Sequence, residues 1–478
     1  MTSLDPISPL GLTHPHFTAA SATSLALLVA LFCLPPLHSP MRALVRPAVT
    51  ARVRSGLAIV AWIQARRTPG LTAFFSAASA TVSVPFYVAA LPALQWCGSP
   101  RLGARLSFAL GAALYVGNAL KDLVCAPRPL GLVAGVEYGD EGPRRRRHRR
   151  GPSPSPPPRR PPRRSASAPV LKAHAPSIIT SCSDAASEAV SAREYGLPSS
   201  HVMNTAVMLL YAAHYWLGHT AGGRGAAAAA PTAAPALAYG AAALLTSIVA
   251  VARMYAGMHT PIDVGAGLVA GVAVFSAWTA FDEPHEAFLI SPATTGAAVL
   301  ASHAATCALL LRLHPRPLVH TPSYEASATF LGACTGVAIG VWRSGGAHLV
   351  RGGAGSLPWG KGPAAVAAAA ALRLACGFAT VGVVHVAAKA VAALGVPLAY
   401  RAVPLALRRL WQPPLHSLVE QEGRENGGGG GPGIPVDAKG RPWDVSITTR
   451  FVSYAVLGWG VSDASFAVQG AVERLVFV

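Results

Sequence analysis

A histidine and an aspartate stand four residues apart in RMYAGMHTPID (253–263), at His259 and Asp263. Thr260 can cap a helix and Pro261 suits its first position, so both side chains would lie within reach of each other at the helix start. A carboxylate on one imidazole nitrogen fixes the tautomer and leaves the other nitrogen free to attack an electrophile. The alternative is an interfacial salt bridge. Because ionisable residues near a membrane core are functional candidates by default, we favour catalysis here.

A second motif, EYGLPSSH (194–201), leads directly into an apolar run. Ser199 or Ser200 is a good N-cap for the helix that this run predicts. The first turn of such a helix offers free backbone N–H groups and a positive dipole end, which together suit an anion. His201 would lie at this position and could donate a proton to a leaving oxygen. The alternative is a capped helix whose histidine only meets the membrane interface.

The third motif, KDLVCAPRP (121–129), closes another apolar run. Lys121 and Arg128 are seven residues apart, so a continuing helix would carry both on one face, although the prolines beside Arg128 end it there. An arginine fork and a lysine point charge can clamp a phosphate dianion. Two cations at the end of a membrane helix can also extend to lipid headgroups, and the motif on its own favours that alternative.

The composition indicates which elements hold these motifs. Of the 478 residues, 52% are hydrophobic and 12% are charged, whereas soluble proteins carry about 25% charged residues. The apolar residues form separate stretches of roughly 17 to 30 residues, the length that spans a bilayer. This excludes a soluble multidomain enzyme and predicts an all-α polytopic membrane protein. Expected spans lie at about 70–95, 103–120, 202–219, 236–252, 263–280, 287–312, 326–342, 363–392 and 451–468.

The order of the spans predicts that the motifs meet. The span 103–120 ends at KDLVCAPRP, and the span 202–219 begins at EYGLPSSH. The span 236–252 then returns across the membrane and ends at RMYAGMHTPID. All three therefore lie on one side of the membrane. Three cations would surround a doubly charged group, one histidine would attack it and another would act as an acid. The residues that this places together are Lys121, Arg128, Ser199, His201, Arg253, His259 and Asp263. They predict phosphoryl transfer through a phosphohistidine, followed by attack of water.

At these residues the sequence resembles the type 2 phosphatidic acid phosphatase superfamily. The signature of that superfamily is KxxxxxxRP, PSGH and SRxxxxxHxxxD, and here it reads KDLVCAPRP, PSSH and ARMYAGMHTPID. The resemblance implies a six-helix phosphatase core and metal-independent hydrolysis with no cofactor. It implies that His259 is the nucleophile, His201 the general acid and base, and Asp263 the residue that orients His259. The phosphate would be bound by Lys121, Arg128, Ser199, Ser200 and Arg253.

Within the superfamily, the sequence is most similar to sphingosine-1-phosphate phosphatases, including the fungal and plant long-chain-base enzymes. FFSAASA (74–80), EYGLPSSH and RMYAGMH carry this similarity, which covers about residues 62–280. It implies that the substrate is a phosphorylated sphingoid base, sphingosine-1-phosphate or dihydrosphingosine-1-phosphate. The alternatives are a phosphatidic acid or polyprenyl phosphate phosphatase, a related transferase, a transporter, or a catalytically silent lipid-binding membrane protein.

Two positions depart from the signature. Position 252 is Ala where the signature has Ser, which removes one hydroxyl donor to the phosphate. A hydrogen bond to a charged group contributes about 1.5–3 kcal/mol, so we expect a lower rate and not its loss. Position 200 is Ser where the signature has Gly, a change that the sphingosine-phosphate branch tolerates.

The remaining segments organise around this core. We expect an amino-terminal region with a possible membrane anchor at 1–61, the phosphatase core at 62–282 with an Arg- and Pro-rich insertion at about 138–190, and further membrane helices at 283–400. An interfacial segment with a Gly-rich linker (401–445) and a last membrane segment (446–478) complete the division. Most of the excess charge of +19 lies in arginine clusters such as Arg144 to Arg164. That block could contact anionic lipid, and no nucleic-acid recognition module accompanies it. The seven cysteines form no CxxC pair and indicate no metal site.

We expect an integral protein of the endoplasmic-reticulum membrane, with a plastid or another endomembrane as the alternative. The arginines flanking the early spans fall on the catalytic side, which by the positive-inside rule would face the cytosol. The family resemblance implies a catalytic side that faces the lumen. The sequence leaves this orientation open.

Overall fold

The computed structural model is built from helices. It describes residues 35–133, 194–221, 233–318, 321–351, 353–404, 408 and 441–477. The helices before the Arg-rich insertion are α1 (Pro35–Gln64), α2 (Pro69–Ala80), α3 (Val84–Cys97), α4 (Pro100–Val124) and the short α5 (Pro129–Val133). Those after it are α6 (Ser200–Ala221), α7 (Ala233–Tyr255), α8 (Pro261–Ile290), α9 (Gly296–Leu313), α10 (Ser323–Arg343), α11 (Ala347–Arg351), α12 (Pro363–Ala402), α13 (Trp443–Trp459) and α14 (Ser465–Phe477). The expected all-α membrane fold is confirmed.

Helix α4 is the centre of the bundle. It packs against α3, α6, α8 and α10, and most of its side chains are buried. A hydrophobic core joins Ala113 and Tyr115 of α4 to Met203 of α6 and Val274 of α8. Because other helices surround α4, it can carry several charged residues and still lie inside the bundle. Buried charged residues lie at both ends of this helix, Arg105 near the amino end and Asp122 near the carboxyl end.

Five helices of the described residues are long and apolar enough to cross a membrane, or six if α2 and α3 form one span. The expected spans 103–120, 202–219 and 326–342 lie in α4, α6 and α10, which are not among these helices. The expected span 70–95 is in fact these two helices, which meet at a bend of 57°. Ser83 caps α3 by accepting a hydrogen bond from the Phe86 amide, and a proline follows in its first turn. These start signals divide the run, because a new helix begins where its cap lies.

Two other expected boundaries were wrong. Helix α8 continues to Ile290 through Pro284, so the predicted span 287–312 begins within it. The next helix starts only at Gly296, where Thr295 accepts the Ala298 amide as an N-cap. The last segment also starts earlier than expected, at Trp443, and a π-helical turn at 460–464 separates α13 from α14.

The carboxy-terminal helices pack through small residues, as the abundance of alanine and glycine suggests. Gly336 of α10 lies against the carbonyl oxygen of Ala455 in α13, and a Cβ there would come within 1.8 Å of that oxygen. Gly458 of α13 lies equally close to the carbonyl of Ala333. Only glycine allows two membrane helices to approach this closely.

Several predictions fall outside the described residues. They are residues 1–34 of the expected amino-terminal region and the Arg- and Pro-rich insertion at about 138–190, with its block Arg144 to Arg164. The expected interfacial segment with its Gly-rich linker, 401–445, is described only in part, where α12 continues to Ala402 and α13 begins at Trp443.

Candidate active site

The motif KDLVCAPRP lies at the carboxyl end of α4. The helix ends at Val124 because Cys125 takes a left-handed backbone (φ 54°) and its amide donates to the Lys121 carbonyl at 2.8 Å. Lys121 is therefore in the last turn, and Arg128 lies in the connection beyond it, between two prolines. The two cations reach the site from a helix end and from a turn, and not from one helical face.

The segment before α6 runs antiparallel to this connection. Gly196 donates its amide to the Ala126 carbonyl at 2.9 Å, and Pro127 and Tyr195 form an isolated β-bridge. Tyr195 is fully buried. These backbone contacts hold EYGLPSSH directly beside KDLVCAPRP.

The serines of the second motif lie against the start of α8. The Ser199 amide donates to the Asp263 carbonyl at 2.9 Å, and a Cβ on Gly267 would lie 2.6 Å from the Ser199 carbonyl oxygen. The expected side-chain cap is not formed: the hydroxyls of Ser199 and Ser200 are buried and have no hydrogen-bond partner. Buried polar groups normally have a partner, so these two hydroxyls are suited to bind a polar ligand.

The motif RMYAGMHTPID begins where α7 ends. Gly257 takes a positive φ of 72° and donates to the Met254 carbonyl at 2.9 Å, while Met258 donates to the Arg253 carbonyl at 3.1 Å. This pair of bonds is a Schellman C-cap, which requires the left-handed residue at Gly257. The turn reverses the chain, keeps Arg253 in the last turn of the helix and places the following histidine beside it.

The carboxylate of Asp263 caps α8 instead of holding the imidazole. Its Oδ2 accepts hydrogen bonds from the Thr260 amide at 2.7 Å and from the Thr260 hydroxyl at 2.9 Å. His259 Nδ1 lies 3.9 Å from this oxygen, beyond hydrogen-bond distance, and has no other hydrogen-bond partner. The expected orienting hydrogen bond is therefore absent here, because the N-cap backbone takes the carboxylate first. Asp263 remains next to the ring.

His259 is buried, with 1% of its surface exposed. Burial lowers its pKa well below the ordinary value of 6.5, and the positive charges of Arg128, Arg253 and Lys121 lower that pKa further. The imidazole is therefore neutral near pH 7 and has a lone pair to donate. The same charges that would bind a phosphate thus add to burial in keeping the His259 imidazole unprotonated.

All the predicted site residues lie at one end of the helix bundle. His201 is in the first turn of α6, close enough that its charge also acts on His259. The assembled set is Lys121, Arg128, Ser199, Ser200, His201, Arg253, His259 and Asp263. Within the described residues, no group of three or more His, Cys, Asp or Glu side chains could hold a metal ion. What the site offers a ligand is positive charge, hydroxyl groups and a neutral imidazole, which suits a phosphate ester.

Glu194 is a site residue to which sequence reasoning assigned no role. Its Oε2 lies 2.5 Å from Nη2 of Arg128, and its side chain is about one-third exposed. The motif EYGLPSSH included this acid, but nothing in the spacing indicated that it would reach across to the arginine of another motif.

Helix α1 was also missed as part of the site. Its Arg42 donates to the carbonyls of Asp122 and Leu123 at 2.8 and 2.9 Å, and Arg46 donates to the Cys125 carbonyl at 3.2 Å. These carbonyls end α4, and arginine is favourable there because it pairs with free carbonyls at the negative end of the helix dipole. In the sequence these arginines indicated only positive charge flanking a membrane span.

A buried carboxylate stands behind Lys121. Asp122 is fully buried and accepts a hydrogen bond from the Thr321 hydroxyl at 3.0 Å, and His314 Nδ1 lies 3.7 Å from its other oxygen. Burial lowers the pKa of His314 to about 4, so this histidine is neutral near pH 7. Both partners come from the connection between α9 and α10, far along the chain.

Comparison with known proteins finds a family model that matches the part of the chain holding these residues. Residues 102–285 match the model of the PAP2 superfamily. All three motifs fall within this range. No solved structure matches the chain.

Two curated relatives are similar over a longer stretch. Lipid phosphate phosphatase delta of Arabidopsis thaliana is 31% identical over 300 residues, which cover 63% of this chain and 59% of that protein. A dihydrosphingosine 1-phosphate phosphatase of Saccharomyces cerevisiae is 25% identical over 292 residues, 58% of this chain and 54% of the relative. The chain thus spans somewhat more than half the length of the curated relatives it matches.

Proposed function

We propose, with the PAP2 superfamily domain at residues 102–285 as the premise, that this membrane protein is a lipid phosphate phosphatase. Its substrate is a phosphorylated long-chain base, sphingosine-1-phosphate or dihydrosphingosine-1-phosphate, which it cleaves to the free base and phosphate. The observation that carries the proposal is the neutral, buried His259 beside three cations. The names of both relatives include phosphatase, and one of them names a phosphorylated sphingoid base.

The reaction proceeds in two steps. Lys121, Arg128 and Arg253 bind the phosphate oxygens, and the Nε2 lone pair of His259 attacks phosphorus. The phosphorus–nitrogen bond forms as the bond to the lipid oxygen breaks, and His201 gives its proton to that oxygen. Water then attacks the phosphohistidine, His201 takes the proton of that water, and phosphate leaves as the phosphorus–nitrogen bond breaks.

The cations do the electrostatic work of both steps. Negative charge stays on the phosphoryl oxygens throughout, so fixed positive charges stabilise both transition states. The buried hydroxyls of Ser199 and Ser200 can donate to the same oxygens. A bound dianion also favours the protonated form of His201, which the first step needs.

The test is phosphate release by the detergent-purified protein in EDTA, with dihydrosphingosine-1-phosphate and phosphatidic acid compared side by side. We expect the sphingoid substrate to be preferred and His259→Ala to lower its turnover by about 10³-fold or more. A phosphoenzyme that is acid-labile and base-stable should form in the wild type and not in the variant. His285→Ala is the matched control, because that histidine is half-buried near the other end of α8.

Retained activity in His259→Ala would overturn the mechanism. Equal or reversed substrate preference would keep the mechanism and leave a phosphatase for phosphatidic acid or polyprenyl phosphates, which fits the broader name of the plant relative. Lipid binding without release from either substrate would instead indicate a silent binding protein.

The second part of the proposal concerns the membrane in which the protein lies. We place the protein in the endoplasmic-reticulum membrane, where the arginine block Arg144 to Arg164 contacts anionic lipid headgroups. Fluorescence microscopy of the tagged full chain checks the membrane. Flotation of the purified protein with neutral and anionic vesicles, before and after replacement of the ten arginines in that block by Gln, checks the lipid contact.

A further inference from the structure

The carboxylate of Glu194 lies at the outer edge of the phosphate-binding cations. It contacts Arg128 at 2.5 Å, and the arginine side chain is 9% exposed whereas that of Glu194 is 32% exposed. Its charge also reaches Lys121. Glu194 therefore touches the site at its more exposed edge.

The carboxyl groups of Asp263 and Asp122, which also lie near the site, already accept hydrogen bonds from other residues. Asp263 is fully buried and caps α8 through Thr260. Asp122 is fully buried and faces Thr321, behind the helix end. Among the residues that the structure describes, Glu194 is thus the acid whose partner would change when a phosphate binds Arg128.

The substrate class proposed above carries a charge that fits this position. In a phosphorylated long-chain base, the carbon next to the one that bears the phosphate carries an ammonium group. A phosphate on Arg128 would displace the carboxylate of Glu194 and bring that ammonium close to it. Each charge then keeps a partner of opposite sign: the guanidinium pairs with the phosphate, and the carboxylate pairs with the ammonium.

A phosphatidic acid headgroup lacks this cation. Its phosphate would separate Glu194 from Arg128 and leave the carboxylate beside a dianion without compensation. The same acid would thus favour the amine-bearing lipid and disfavour the one without an amine, so that one residue discriminates in both directions.

We propose that Glu194 is the specificity-determining residue of this site and that it binds the ammonium group of the long-chain base. The inference rests on the proposed function. It assigns to Glu194 a role in substrate choice and none in the chemical steps.

The experiment compares three substrates in wild type and Glu194→Gln: dihydrosphingosine-1-phosphate, its N-acetyl derivative, which has no cation, and phosphatidic acid. We expect kcat/KM for the amine substrate to fall by about tenfold to a hundredfold relative to phosphatidic acid, the range of a lost hydrogen bond to a charged group. The N-acetyl derivative should be hydrolysed no more slowly by the variant than by wild type. Glu194→Asp should retain part of the preference, and Glu283→Gln, an exposed acid near the other end of α8, should leave it unchanged.

A binding measurement separates this inference from the proposed reaction. In the His259→Ala background, Glu194→Gln should weaken the thermal stabilisation by dihydrosphingosine-1-phosphate and not that by phosphatidic acid. Equal changes for both lipids, in binding or in turnover, would overturn the role of Glu194 and leave it as a support of Arg128. Loss of hydrolysis in every variant, with the binding preference intact, would overturn the proposed reaction and keep the role of Glu194.

Discussion

The two ends of the antiparallel pair α4 and α8 both hold buried charges, but they balance them differently. At the end away from the site, Arg105 donates to Asp282 at 2.8 Å and to Glu286 at 2.7 Å. Arg101 contacts the second oxygen of Glu286 at 2.5 Å, and Tyr211 donates to Asp282. Two cations thus pair with two carboxylates, so the charges of this cluster cancel.

At the end that holds the proposed site, three cations lie around one imidazole, with Glu194 at the edge and Asp263 beside the ring. The hydroxyls of Ser199 and Ser200 are buried there without a partner. About 24 Å of helix separates the two clusters, since Arg105 and Lys121 are sixteen residues apart on α4. The comparison indicates that the cluster around Arg105 is closed by its own ion pairs, whereas the cluster around His259 leaves buried hydroxyl groups open to a ligand.

The largest effect should follow from breaking the balanced end. Arg105→Met leaves two buried carboxylates short of their main cation and should lower the free energy of unfolding by about 3–5 kcal/mol. Thermal unfolding in detergent measures this loss. Addition of Asp282→Asn and Glu286→Gln should restore much of the stability, because the uncompensated charges are then removed. An unchanged unfolding temperature in the single variant would show that the cluster is not structural.

Removal of a cation from the catalytic end should do the opposite. Arg253→Met should lower kcat/KM by about 10²–10³-fold, the cost of one fixed transition-state charge, without a loss of stability. The charge of Arg253 also helps to lower the pKa of His259. In the variant that pKa should rise, so activity should begin to fall at a higher pH as the solution is acidified. A pH profile of kcat/KM that does not move would separate Arg253 from the nucleophile.

The smallest effect should come from restoring the signature hydroxyl. Ala252 is buried and precedes Arg253 in the last turns of α7. If Ala252→Ser adds one donor to the phosphate, kcat/KM should rise by about tenfold, the lower end of the range for a hydrogen bond to a charged group. Steady-state kinetics on dihydrosphingosine-1-phosphate measures the gain, and Ala250→Ser, two residues earlier on α7, is the control. A lower kcat/KM in Ala252→Ser alone would mean that this position has no room for the hydroxyl.

Convergence of the motifs was predictable from the sequence because it depends on chain direction alone. Successive helices that reverse direction bring the end of α4, the start of α6 and the turn between α7 and α8 to one end of the bundle. The prolines beside Arg128 marked where the first of these helices ends. The all-α fold followed from the length of the apolar runs.

Individual hydrogen-bond partners could not be predicted in the same way. Spacing allowed Asp263 to reach either His259 or Thr260, and the structure shows that the backbone at the N-cap takes the carboxylate. Glu194 and Arg42 reach partners on other helices, and periodicity within one helix carries no information about such contacts. The single span expected at 70–95 took no account of Ser83, which caps α3 where the run bends.

The buried contacts of Asp122 come from residues beyond the region that matches the superfamily model. The superfamily match ends at residue 285, yet Thr321 and His314 supply the surroundings of the residue next to Lys121. A polypeptide cut after the matched region would expose this carboxylate to lipid or water and loosen the end of α4. The later helices therefore supply contacts that the matched region lacks, and they help to hold the end of α4 that carries Lys121.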